Sequence, residues 1–237
     1  MRILITNDDG IHAAQMIPLV QWAQKLGSVM VVAPKVEQSG KSQGIELHES
    51  FEAKKIDLFP GVTAWAVDST PADCIRFAVL GLKESFDLVI SGINRGFNMG
   101  TDIMYSGTAG AVFESVSLGM KAVALSTSPE YYDHAVEHLD HVFDYILSNS
   151  LLDRCDAYNV NIPPQGERIL ITRQGGHYYS DDFVPVGNDY FKARGKCVYQ
   201  DRNDMSLDTD AVMHGNISIM PLTICRTDLR VYEDLTK

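Results

Sequence analysis

Two aspartates stand side by side near the start of this chain, in the turn Asn7-Asp8-Asp9-Gly10 that closes its first apolar run. Neighbouring carboxylates at a strand end repel each other unless a cation sits between them or one is protonated. Oxygen donors without cysteine and without an obvious histidine suit a hard cation, Mg²⁺ or Mn²⁺, better than zinc. The same pair reads equally as a helix N-cap followed by a first-turn acid, which the helix dipole favours.

A second loop, Ser91 to Thr108, carries glycines that permit close backbone approach, with Asn94, Arg95, Asn98 and Asp102 among them. It ends in Ser106-Gly107-Thr108, where free amides at a helix start can hold a phosphate. An ordinary serine cap with turn glycines is the alternative. A third loop holds Ser39-Gly40, which alone is a common turn dipeptide and gains interest only from following a strand. His12 fits a proton carrier or a plain structural histidine, and Asp68–Cys74 fits a capped strand-to-helix turn.

The elements that must position these loops follow from hydrophobic patterning. Arg2–Thr6, Val29–Ala33, Thr63–Val67, Leu88–Ile90 and Ala122–Leu125 are short apolar runs of the buried-strand type. Helical spacing separates them: Ile17 to Leu26, Pro71 to Leu80, Thr108 to Leu118, and His134 to Leu147. Apolar strands alternating with helices predict a mostly parallel sheet covered on both faces. Such sheets bind ligands beyond the carboxyl ends of their strands, so all three loops are expected at one edge. After about Asn149 short runs at Tyr158–Ile162, Arg168–Thr172 and Ile217–Pro221 predict hairpins and loops attached to the sheet.

Composition bounds the partners. The chain has 237 residues with 20 Lys+Arg against 31 Asp+Glu, a formal net charge of −11. That balance argues against a protein that coats polymeric nucleic acid, which relies on basic residues neutralising phosphates. A small phosphorylated ligand needs positive potential only locally and is not excluded. Four scattered cysteines form no CxxC pair, and no run approaches the roughly 20 apolar residues that cross a bilayer. The expected setting is the cytoplasm, with reduced thiols and no membrane.

Taken in order, Asn7-Asp-Asp-Gly-Ile-His12, Ser39-Gly40, Asp68–Cys74, Ser91–Gly100 and Tyr105–Ala111 closely resemble the motifs of the SurE survival-protein family of metal-dependent nucleotidases. The likeness continues through Asn159–Pro163, Thr172–Gly175 and Thr209-Asp210, so it spans nearly the whole chain. The resemblance implies one α/β domain over 1–237: a Rossmann-like core to about 165 and a β-rich C-terminal extension, about 166–237. It implies that this extension exchanges between subunits of a homodimer or homotetramer. It also implies hydrolysis of nucleoside 5′-monophosphates, with 3′-monophosphates and short polyphosphate as further substrates. On the same footing the metal ligands are Asp8, Asp9, Ser39 and Asn94. The phosphate contacts are Gly40, Asn94, Ser106, Gly107 and Thr108, and the catalytic set is Asp8, Asp9 and Asn94. Departures such as Ser69 in place of a glycine touch none of these positions. A receiver-like signalling domain also pairs acids after its first strand, but it needs an aspartate where this chain has Ser91-Gly92.

Overall fold

The computed structural model describes residues 1–237. Strands β1 (Arg2–Thr6), β2 (Ser28–Pro34), β4 (Thr63–Val67), β5 (Leu88–Arg95), β6 (Lys121–Thr127) and β7 (Ala157–Ile162) form a six-stranded parallel core. The full sheet has nine strands in the order β3-β4-β2-β1-β5-β6-β7-β11-β8, with β3 (Ala53–Ile56), β8 (Ile169–Ile171) and β11 (Ile217–Leu222) at its flanks. Both β3 on β4 and β11 on β7 run antiparallel. Chain order moves outward from β1 in one direction through β2 and β4, then returns to β5 on its other side. The gap between the carboxyl ends of β1 and β5 is therefore the topological switch point, where open α/β sheets bind ligands.

Alternation along the strands sends successive side chains to opposite faces. Ile3 and Ile5 join one buried cluster with Leu19, Trp22, Val142 and Phe143, contributed by α1 (Met16–Ala23) and α5 (Leu139–Ser148). Leu4 and Val89 join the opposite cluster with Ile75, Ala111 and Val112, contributed by α2 (Pro71–Arg76) and α3 (Gly107–Ser117). Burying a core side chain of this size stabilises by about 1.5–3 kcal/mol, so both faces are held firmly. Helices on both faces of a mostly parallel sheet match the architecture expected from the sequence.

Three details depart from the pattern. The expected single helix over 134–147 is two, α4 (Tyr132–Glu137) and α5, meeting at His138. The expected helix to Leu80 is α2 followed by a π-helical turn, Phe77–Gly81. Beyond α6 (Leu151–Arg154), the C-terminal part does contain an attached hairpin, β9 (Tyr179–Gly187) with β10 (Tyr190–Cys197). Yet β8 and β11 join the main sheet, and two short helices accompany them, α7 (Asp208–Met213) and α8 (Leu229–Leu235).

Candidate metal and phosphate site

The three loops meet at the switch point. Gln38 N–H donates to the Asp8 carbonyl at 2.7 Å, pinning the loop after β2 against the turn after β1. Arg95 N–H donates to Asp9 Oδ2 at 3.1 Å, which ties the end of β5 to the same turn. From α3, Thr108 donates twice to Asp8: its hydroxyl to Oδ1 at 2.7 Å and its amide to Oδ2 at 3.2 Å. A Cβ on Gly107 would stand 3.0 Å from Asp8 Oδ2 and 3.3 Å from the Gln38 carbonyl, so a side chain there would crowd Asp8. The turn itself is locked by Asn7, whose amide group exchanges hydrogen bonds with the N–H and carbonyl of Gly10.

The electrostatics of this corner are unbalanced toward negative charge. Burial lifts the Asp8 carboxyl above its ordinary range despite the two donors from Thr108. Burial, and next the charge of Asp8, push Asp9 up to about 6. Glu37 adds repulsion to both. A cation at this corner would offset all three charges.

The donors suit a hard one. Asp8 and Asp9 offer carboxylates, and Asn94 gives its Nδ2 to the Gly96 carbonyl at 2.8 Å, which turns its oxygen into the acceptor end. Ser39 is exposed on the β2 loop, where its hydroxyl donates to Glu37 at 2.6 Å and keeps lone pairs for a ligand. No three His, Cys, Asp or Glu side chains converge anywhere as a metal-holding cluster. The set here is two carboxylates with a hydroxyl and an amide oxygen, all oxygen, which fits Mg²⁺ or Mn²⁺ chemistry.

The helix start is divided between two tasks. Ser106 Oγ caps α3 by accepting Ala109 N–H at 3.0 Å, and Thr108 is engaged with Asp8. Gly107 N–H remains as the first-turn amide available to an anion, with the positive end of the helix dipole behind it. Gly40 lies exposed at the mouth, beside Ser39.

Several partners here are invisible to motif reasoning. Gln15 holds Asp9 Oδ2 at 2.6 Å. Asn98 is fastened to β6 and β7 by four bonds, giving its N–H to Asn161 and its Nδ2 to Ser126 while its carbonyl receives Asn159 and Asn161. Asp208 takes the N–H groups of Gly100 and Gly175, anchoring the far end of the same loop. The asparagines of Asn159-Val-Asn161 were present in the sequence motifs, but nothing local indicated what they hold.

Comparison with known proteins agrees with this geometry. The model of the family described as Survival protein SurE matches residues 3–181. A protein of Syntrophotalea carbinolica named 5′-nucleotidase SurE is 38% identical over 250 residues, covering 100% of this chain and 97% of its own length. One of the same name from Thermosipho melanesiensis is 35% identical over 241 residues, covering 96% and 93%. The crystal structure of the SurE protein from Aquifex aeolicus superposes with a TM-score of 0.80 at 28% identity, covering 100% of this chain and 98% of that one. With a family model over most of its length and relatives matched almost end to end, this chain belongs to the SurE family.

Proposed function

We propose that this protein is a metal-dependent 5′-nucleotidase that hydrolyses nucleoside monophosphates to nucleoside and phosphate. The observation that carries this reading is the junction of Asp8 with Thr108. One buried carboxylate and the start of α3 are held 2.7 Å apart, so a cation site and an anion site share an edge. The name 5′-nucleotidase SurE carried by relatives of nearly equal length supports it. Asp8, Asp9, Ser39 and Asn94 would hold one divalent ion, Mg²⁺ or Mn²⁺. When bound, that ion supplies positive charge for the phosphoryl oxygens and lowers the pKa of a water.

The protein groups divide the remaining work. Gly40, Asn94, Ser106 and Gly107 present donors to the phosphate, while Thr108 keeps Asp8 in place. Asp9 accepts a proton from the attacking water on Oδ1, since both Gln15 and Arg95 engage Oδ2. Burial and the charge of Asp8 lift the Asp9 carboxyl in the metal-free site, and a bound cation would hold it ionised and so able to accept a proton. The water oxygen joins phosphorus as the ester bond breaks, and the departing sugar oxygen ends protonated. 3′-Monophosphates and short polyphosphate present the same terminal group and complete the substrate range.

The assembly belongs to the same proposal: a single domain over 1–237 whose extension, about 166–237, is exchanged between the subunits of a homodimer or homotetramer. Helix α8 buries none of its residues within one chain, which supports that exchange. All four cysteines are unpaired, in keeping with the cytoplasm, and no helix is long and apolar enough to cross a membrane. Phosphate release from AMP, with EDTA and with added Mn²⁺ or Mg²⁺, tests the activity. Asp8→Asn and Asn94→Ala should abolish it with circular dichroism and solution mass unchanged. Full activity in either variant, or after exhaustive chelation, would refute the metal mechanism.

A further inference from the structure

A buried carboxylate outside the site has no work in the scheme above. Glu114 lies on α3, about two turns beyond Gly107. It is 6% exposed, and a charge so enclosed is kept only where partners compensate it. Arg76, in the last turn of α2, donates from Nη1 to Oε1 at 2.9 Å. That pair balances the charge and leaves the second oxygen for another partner. Oε2 receives Gln43 Nε2 at 2.9 Å, from the loop after β2 that carries Ser39 and Gly40.

This loop is fastened on either side of those two residues. Before them, Gln38 N–H bonds the Asp8 carbonyl at 2.7 Å. After them, the Ser42 amide donates to the Tyr105 carbonyl at 3.1 Å and its hydroxyl to the Met104 carbonyl at 2.7 Å. The Thr70 hydroxyl then holds the Gly44 carbonyl at 2.6 Å, and Asp73 receives Glu46 N–H at 2.8 Å. Between these anchors Ser39, Gly40 and Lys41 make no hydrogen bond outside their own loop, so the anchors decide where they stand. Among the anchors, only Gln43 bonds a side chain of α3. The backbone of Ser42 and Gln43 lies directly against Gly110 of the same helix.

We propose that Glu114 is a positioning residue for the site: through Gln43 it holds the Ser39–Gly40 crest in register with the start of α3, while Arg76 steadies its other oxygen. Helix α3 then frames both halves of the site. Thr108 at its start fixes Asp8, and Glu114 farther along fixes the loop. Partners that orient metal-binding side chains in this way are worth about 10- to 100-fold in metal affinity or activity. The proposal rests on the metal-dependent nucleotidase reading.

Gln43→Leu removes the donor, keeps the bulk and leaves the Arg76–Glu114 pair in place. Its dissociation constant for Mn²⁺, measured by calorimetry without nucleotide, should rise about tenfold or more. At saturating Mn²⁺ the KM for AMP should rise about fivefold or more with kcat changed less than about threefold, because Asp8 and Asp9 are untouched. Adding Glu114→Gln to Gln43→Glu exchanges donor and acceptor, and should bring both the Mn²⁺ affinity and the KM back to within about threefold of wild type. Wild-type Mn²⁺ affinity and KM in Gln43→Leu would overturn the proposal. So would a double variant that regains the melting temperature without regaining the affinity, which marks a purely structural ion pair. A wild-type protein that neither binds Mn²⁺ nor releases phosphate would overturn the nucleotidase reading and this one together.

Discussion

Asp8 and Cys74 show burial acting in the same direction on two acids of one fold, with different groups opposing it. Asp8 is 5% exposed, yet Thr108 supplies two donors that favour its charged form. Cys74, on α2 in the opposite core cluster, is fully buried, and desolvation with the nearby Asp73 holds its thiol well above the ordinary range. The folded pKa thus lies above the unfolded value of about 8.5. The stability this thiol contributes is complete below that value and is lost as pH rises toward the folded pKa. Once the unfolded thiol ionises and the folded one does not, the loss approaches about 1.4 kcal/mol per pH unit. Urea unfolding at pH 7.5, 8.5 and 9.5 should show wild type losing about 1 kcal/mol more than Cys74→Ala over the last step. Equal losses would mean that Cys74 does not stay protonated. In the native protein a thiol reagent should label the exposed Cys197 and Cys225 promptly and leave Cys74 untouched until unfolding.

At the scale of elements, apolar runs bounded by turns located the core strands, although β5 runs on through the polar Ser91–Arg95 that was read as loop. Thr63–Val67 is a strand over those very residues, and β1 and β2 agree within a residue or so at each end. Periodicity failed where a local break leaves it intact. Val136, Leu139, Val142 and Ile146 keep helical spacing across His138, so nothing in their pattern marks the division between α4 and α5. Strand β3 was missed because Lys54 and Lys55 make it polar, as is common for an edge strand that must not recruit another chain. The site divided in the same way. The placement of Asp8 and Asp9 just beyond β1, and of Asn94 at the end of β5, was legible because strand ends can be read from apolar runs. Gln15 and Asp208 were not, because their partners are set by packing between distant segments.

One contact between elements makes a prediction of its own. A Cβ on Gly110, inside α3, would stand 2.0 Å from the Ser42 carbonyl and 2.8 Å from the Gln43 nitrogen. Backbone that close cannot yield without moving the loop that carries Ser39 and Gly40. Alanine is favoured over glycine in a helix interior by about 1 kcal/mol, which offsets part of that cost. Gly110→Ala should therefore keep its melting temperature within a few degrees while Mn²⁺ affinity and phosphate release fall at least tenfold. Unchanged affinity would show that the β2 loop does not contribute to the site.

At the scale of the whole molecule, two features pull against each other. The net charge of −11 makes copies of this chain repel. The hairpin and α8 nevertheless expose Phe183, Tyr190, Phe191, Tyr232 and Leu235, from 58% to 81% of each side chain's accessible surface. A seven-residue helix with no buried residue has little reason to form alone in water, since isolated helices below about 12–15 residues are marginal. A second copy that covers it resolves this, provided apolar burial exceeds the repulsion. The balance depends on salt, because the screening length falls from about 20 Å at 20 mM to about 8 Å at 0.15 M. Assembly should tighten as sodium chloride is raised over that range, read by light scattering at fixed protein concentration. Leu235→Asp places a charge on a side chain that is 81% exposed in one chain, where it should cost a monomer under about 0.5 kcal/mol. If a partner covers α8, the same substitution should lower the solution mass and make the melting temperature more dependent on concentration. An unchanged mass at every salt concentration would place α8 outside the subunit interface.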